Sequence, residues 1–142
     1  MAIADAKNES NDDYLAGKLS LESFDLIEKL GKGSFGSVFL VKKKDDFSGR
    51  YYAMKVLEKD KVLAQNLIRY AQTERAVLSL ARHQFIVGLN YAFQSTSRLY
   101  LIMDYCPGGD MGMALAKHRR FNVDIARVYA AEIVLAIEYL HK

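Results

Sequence analysis

Apolar residues recur along this chain at first with a period of two and later at helical spacing, and the two regimes predict different elements. Residues 1–21 are polar and acidic, without either period, and read as a flexible leader. Phe24 to Leu30 reads as a strand, and Ser37 to Lys43, with Val38-Phe39-Leu40-Val41 at its centre, as its return. Turn chemistry fills Lys44-Asp45-Asp46-Phe47-Ser48-Gly49-Arg50, and Tyr51 to Leu57 makes a third strand. From Asn66 to Arg82 the spacing becomes helical, with Leu67, Ala71, Glu74, Val77 (or Leu78) and Ala81 on one face. Val87 to Phe93 and Leu99 to Asp104 predict two more strands joined by a short turn. Pro107-Gly108-Gly109 ends the strand regime. A helix over Asp110 to Lys117 follows, then a longer one capped by Asn122, with Asp124 in its first turn and Ala126, Tyr129, Ile133, Ile137 and Leu140 along it.

Between the first two strands lies Gly31-Lys32-Gly33-Ser34-Phe35-Gly36-Ser37-Val38. A G-x-G-x-x-G spacing alone is weak evidence. In a dinucleotide-binding fold these glycines would open a helix, and here a strand follows. A Walker A loop needs Gly-Lys-Ser/Thr at its end, whereas Gly36 is followed by Ser37 and Val38. What remains is a β-hairpin flap, whose bare backbone can approach a polyphosphate and offer it N–H groups.

Composition narrows the classes further. The chain has 142 residues, enough for one domain, with an apolar fraction of 51%. Twenty basic and 17 acidic residues leave a net charge of +3, too balanced to argue for nucleic acid. Lys42-Lys43-Lys44 reads as a solvated strand end. The single cysteine, Cys106, allows neither an internal disulfide nor a multi-cysteine metal site. With no signal peptide, no myristoylation site and no apolar run of membrane-spanning length, the expected location is reducing and intracellular, the cytoplasm with the nucleus as a second compartment.

Two charges interrupt apolar patterns. Lys55 stands between Met54 and Val56 in the third strand, and Glu74 lies within the apolar stripe of the helix after it. Each is costly to bury alone. Lys55 can reach water from a strand edge and Glu74 can sit at the margin of its face. With the glycine flap in the right order before them, pairing is the economical solution, Lys55 also reaching toward ligand phosphates. At roughly 4 Å and an effective dielectric near 20, such a pair gains about 4 kcal/mol before desolvation, so its net role is positioning more than stability.

Taken together these residues resemble the N-terminal lobe of a eukaryotic protein kinase. Leu30-Gly31-x-Gly33-x-x-Gly36-x-Val38 is similar to the glycine-rich loop, and Ala53-Met54-Lys55 to the V-A-I-K strand with methionine for isoleucine. Glu74 stands at the place of the helix C glutamate. Leu99 to Tyr105 with Pro107-Gly108-Gly109-Asp110 resembles the fifth strand and hinge, and Phe121 to His141 resembles helix E. Phe24, Pro107-Gly108-Gly109 and Tyr129-Ala130-Ala131-Glu132-Ile133 are similar to the AGC serine/threonine group, which includes the cAMP-dependent, ribosomal-S6 and Akt-type enzymes.

The resemblance implies an α+β fold: an N-lobe of a five-stranded antiparallel sheet plus helix C over 22–104, then a hinge and helices D and E of an incomplete C-lobe over 105–142. It implies ATP as ligand. Leu30, Val38 and Ala53 would sandwich the adenine, with Met103 as gatekeeper. The Asp104 carbonyl and Cys106 N–H would hydrogen-bond the adenine edge, and Asp110 would reach the ribose. Gly31, Gly33, Ser34, Phe35 and Gly36 would cover the phosphates. Lys55 would hold the α- and β-phosphates, oriented by Glu74, and these two are the implied catalytic pair. A docking groove for a C-terminal hydrophobic-motif peptide would involve Val62, Leu63, Ile68, Ala71, Leu99 and Leu101, all of which also suit an ordinary core. Tyr70 departs from the pattern, standing where several AGC kinases have a histidine that reads the activation-loop phosphate.

Neither H-R-D-x-x-x-x-N, D-F-G nor A-P-E occurs in the 142 residues. The proton-accepting aspartate and the Mg2+ ligands implied for the full enzyme are therefore absent, and the chain alone is expected not to catalyse phosphoryl transfer. A protein substrate would be engaged through the missing lobe. The apolar side of the last helix (Ile133, Ile137, Leu140) is expected to be exposed, favouring self-association, poor solubility or a partner chain. The competing expectation is a non-catalytic nucleotide-binding or docking module, similar to a pseudokinase remnant.

Overall fold

The computed structural model describes residues 19–33, 36–64 and 66–142. Five antiparallel strands form one sheet in the order β1-β2-β3-β5-β4: β1 Phe24–Gly33, β2 Gly36–Lys43, β3 Tyr51–Glu58, β4 Leu89–Gln94 and β5 Arg98–Asp104. Among the described residues four α-helices accompany it: α1 Lys59–Ala64, α2 Ile68–Leu80, α3 Met111–His118 and α4 Val123–Leu140.

Register sorts the side chains into two faces, because directly opposed residues of an antiparallel pair point the same way. Val38 opposes Lys55, which opposes Leu101; Leu40 opposes Ala53, which opposes Met103. These form the helix-side face. The other face carries the core of Phe24, Val41, Tyr52, Met54, Val56, Tyr100 and Ile102, with Tyr91 and Phe93 packed against it. Its aromatic rings are arranged in series: Phe24 stacks on Phe93 with centroids 5.8 Å apart, and Phe93 on Tyr100 at 4.8 Å. The file of Tyr52, Met54 and Val56 in β3 carries this core, while Leu57 is buried on the helix-side face.

Local chemistry sets the turns. Asp46 Oδ1 accepts from Ser48 N at 2.9 Å between β2 and β3, and Gly49 takes a φ of +75° there. Asp110 caps α3 by accepting from Met113 N, and Asn122 caps α4 by accepting from Ile125 N, both at 2.8 Å. Asn122 thus takes the role its position suggests.

Some expectations shift. The helical pattern from Asn66 begins later, at Ile68, and Asn66 adopts a left-handed φ of 55° in the turn before it. Leu67 is the N-cap of α2 and Val77 is exposed; Leu78 is the residue that turns inward. The fourth strand starts at Leu89, with Val87 exposed before it. The short helix α1 has no counterpart in the sequence reading: its six residues are too few for a period, and Val62 is its one buried side chain. On α4, Ile133, Ile137 and Leu140 stay about half exposed, as expected. The leader lies outside the described residues apart from its last three positions.

Candidate functional site

Lys55 and Glu74 meet. Lys55 Nζ donates to Glu74 Oε1 at 2.5 Å, joining β3 to α2, with side chains 28% and 24% exposed. The cation projects from the helix-side face because it is the odd member of the buried alternation Met54-Lys55-Val56. The anion is brought opposite by α2, whose Ala71, Glu74 and Leu78 form its inward edge. An ammonium that keeps a quarter of its surface free can hold the carboxylate and still engage a second anion, since it carries three donors.

The glycine hairpin stands beside this pair. Gly36 faces Leu57 across the β2–β3 ladder, and a Cβ there would run into the Val56 carbonyl oxygen. Glycine at 36 is therefore required by the fold itself. Gly31 and Gly33 differ: among the described residues, added Cβ atoms would meet nothing within 4 Å. Neither has a positive φ. Packing among the described residues gives no reason for glycine at those two positions. Ser34 and Phe35 lie outside the described residues.

The remaining candidates fall along one path from the hairpin to the segment after β5. Leu30 has no direct partner, sitting in the bulge between Lys29 and Gly31, and is 40% exposed. Val38, Ala53 and Met103 are half-buried on the face that carries Lys55. Asp104 ends β5, and Cys106 is exposed just beyond it. One carboxylate oxygen of Asp110 is engaged as the α3 cap. Tyr70 is exposed on α2.

Several polar residues of this region carried no motif. Arg50, Asn90 and the Gly88 backbone all bond the Asp104 carboxylate. Burial would raise the pKa of that carboxyl, but the Asn90 amide, the Gly88 N–H and the Arg50 charge outweigh burial and hold it below the ordinary carboxylate range. Further along, Arg82 N donates to Tyr139 Oη at 3.0 Å and the Tyr139 ring lies 5.1 Å from His83, fastening α4 to the loop after α2. These partners are far apart in sequence and meet only once the chain has folded.

The protein kinase domain model matches residues 24–142, from the first residue of β1 to the end of the chain. The chain belongs to the protein kinase domain family. Among curated relatives, it is 47% identical to a RAC-beta serine/threonine-protein kinase of Rattus norvegicus over 124 residues, covering 87% of this chain and 25% of that protein. It is 45% identical to a RAC family serine/threonine-protein kinase homolog of Dictyostelium discoideum, over 87% of this chain and 28% of the relative. It is 41% identical to the serine/threonine-protein kinase AtPK2/AtPK19 of Arabidopsis thaliana, over 97% of this chain and 29% of the relative. The chain thus spans between a quarter and a third of the length of these relatives. The kinase-domain sheet and α2 correspond to an AGC-type N-lobe, followed by the hinge segment and two helices of a partial C-lobe. No helix among the described residues is long and apolar enough to cross a membrane.

Proposed function

We propose that this chain is the ATP-binding amino-terminal portion of an AGC-type serine/threonine protein kinase, whose complete catalytic unit moves the γ-phosphate of ATP to a serine or threonine hydroxyl. The observation that carries the reading is the Lys55–Glu74 ion pair on the sheet face shared with Val38, Ala53 and Met103, beside a glycine hairpin. The openness around Gly31 and Gly33 among the described residues supports it: a backbone without Cβ atoms or close neighbours is one a polyphosphate can approach.

Each residue has a task in this reading. Glu74 holds the Lys55 ammonium in place, so the charge is oriented before the ligand arrives. Lys55 then neutralises charge on the α- and β-phosphates. Val38, Ala53 and Leu30 offer apolar contact to the base, Met103 closes the back of that pocket, and the backbone of Asp104 and Cys106 reads its edge. Asp110 retains one carboxylate oxygen beyond its cap bond for the ribose. Mg2+ supplies charge neutralisation on the phosphates in this family, but the motifs that hold it are not among these 142 residues. Phosphoryl transfer therefore requires groups from outside them.

A partner site belongs to the same reading. Val62, Leu63, Ile68, Ala71 and Leu99 line a groove of about 180 Å³ between α1, α2 and the sheet, and Lys59, Arg75, Gln72 and Gln94 give it a polar rim. Leu101 lines the adjoining hollow with Leu57, Ala71 and Leu99. An apolar groove with a basic rim suits a hydrophobic-motif peptide that carries aromatic and acidic residues.

Titrating ATP into the chain, with Lys55→Met as comparison, tests the nucleotide reading. Wild type is expected to bind measurably and Lys55→Met at least about tenfold more weakly, since a charge-assisted contact contributes on the order of 1.5–3 kcal/mol. Equal binding by the two removes Lys55 from the site.

A further inference from the structure

The last residue of β5 carries a cluster of hydrogen bonds that the family reading leaves unused. Asp104 opposes Tyr52 in the β3–β5 ladder, so its side chain lies on the aromatic face, away from the face of Lys55, Ala53 and Met103. There Oδ1 accepts from Arg50 Nη2 at 2.5 Å and from Asn90 Nδ2 at 2.8 Å, and Oδ2 accepts from Gly88 N at 3.0 Å. The Asp104 backbone N–H donates to Gly88 O at 3.1 Å. Arg50 directly precedes β3 and Gly88 directly precedes β4. One carboxylate therefore clamps the ends of three strands at the point where the chain leaves the sheet.

The clamp is built closely. A Cβ on Gly88 would meet Asp104 Oδ2 at 2.8 Å, so a larger residue there would push the carboxylate out of its present position. The Arg50 guanidinium lies 5.1 Å over the Tyr52 ring, and the Tyr52 hydroxyl donates to Asp46 Oδ2 at 2.9 Å, which extends the network to the β2–β3 turn.

We propose that the Asp104 carboxylate is a positioning residue for nucleobase selection. By tying β3 and β4 to the end of β5 from the aromatic face, it fixes the peptide whose carbonyl accepts a hydrogen from the 6-amino group of adenine. It acts through its own backbone, since its side chain lies on the face opposite the base. A fixed carbonyl rejects a 6-oxopurine, which would bring two acceptors together, and a loose one turns away and discriminates poorly. The inference rests on the ATP reading above.

The test compares ATP with purine riboside 5′-triphosphate, which lacks only the 6-amino group, on wild type, Asp104→Ala and Arg50→Gln. Wild type is expected to prefer ATP by about threefold to tenfold, the worth of one such hydrogen bond. Asp104→Ala is expected to bring that ratio close to one, and Arg50→Gln to lower it part of the way, with the affinity of Arg50→Gln for purine riboside triphosphate within about twofold of wild type. A purely structural role would weaken both ligands equally and leave the ratio intact, and that result overturns the proposal. Arg50 is half exposed, so its variant keeps the sheet and decides the matter if Asp104→Ala does not fold. If wild type binds ATP while its ratio survives in Arg50→Gln, the positioning role falls alone. If wild type binds neither nucleotide, the ATP reading falls and this inference with it.

Discussion

Replacing Lys55 and Glu74 singly and together measures whether the pair acts as a unit. Across the observed 2.5 Å, an effective dielectric near 20 gives a Coulomb attraction of roughly 6–7 kcal/mol. Most of that is offset by desolvation of two charges whose side chains keep about a quarter of their surface. Breaking a fully buried pair costs about 3–5 kcal/mol, and water can reach these groups, so Lys55→Met or Glu74→Gln is expected to lose about 1–3 kcal/mol. The double variant removes the orphaned charge as well. It should cost less than the sum of the singles, with a coupling of about 1–2 kcal/mol, within the range for contacting residues. Urea denaturation of the four proteins, followed by circular dichroism with slopes compared for equal unfolding, reads this directly. A coupling below about 0.5 kcal/mol, as for distant sites, would refute the view that the two side chains hold each other in place.

Gly36→Ala should destabilise the chain by about 1–3 kcal/mol, because its Cβ meets the Val56 backbone, whereas Gly31→Ala should leave thermal stability nearly unchanged and act on nucleotide affinity alone; equal melting shifts would show that both glycines serve packing. Hydrogen bonds from the Ser48 side chain and backbone and from the Tyr52 hydroxyl hold the Asp46 pKa down to about 2 from 3.8, so this turn's contribution, complete above pH 3.8, should fade as pH drops toward 2 in the wild type and not in Asp46→Asn. Burial, then the hydrogen bond and charge of Asp46, push Tyr52 up to about 12 from 10.0. Stability should thus be retained up to pH 10 and decline between 10 and 12, a decline that Tyr52→Phe removes in alkaline unfolding curves. Ile102→Ala, at a fully buried core position, should cost about 2–5 kcal/mol in the same denaturation assay, and a loss under 1 kcal/mol would mean the aromatic face collapses readily around the gap.

What could be read from the residues, and what could not, follows from how each feature is encoded. The strands were legible because β-branched and aromatic residues are concentrated in them between turn residues, and β3 shows the two faces that follow: Tyr52, Met54 and Val56 form one file while Ala53, Lys55 and Leu57 form the other. Lys55 and Glu74 were legible as exceptions, charges set into apolar patterns where only a partner makes burial tolerable. Helix α1 escaped because six residues with one buried side chain display no period; its Val62 and Leu63 were named for the groove through the family resemblance and not from any pattern of their own. The clamp at Asp104 escaped for a different reason. Arg50, Gly88 and Asn90 are ordinary strand-end residues, and they converge on Asp104 from 54, 16 and 14 positions away only once β3 and β4 are both paired with β5. A conspicuous charge advertises its own need for a partner, whereas a polar network assembled from strand ends is specified by register. Register follows from which faces are apolar, so the sequence holds the information for the clamp in its hydrophobic pattern and not in the residues that form it.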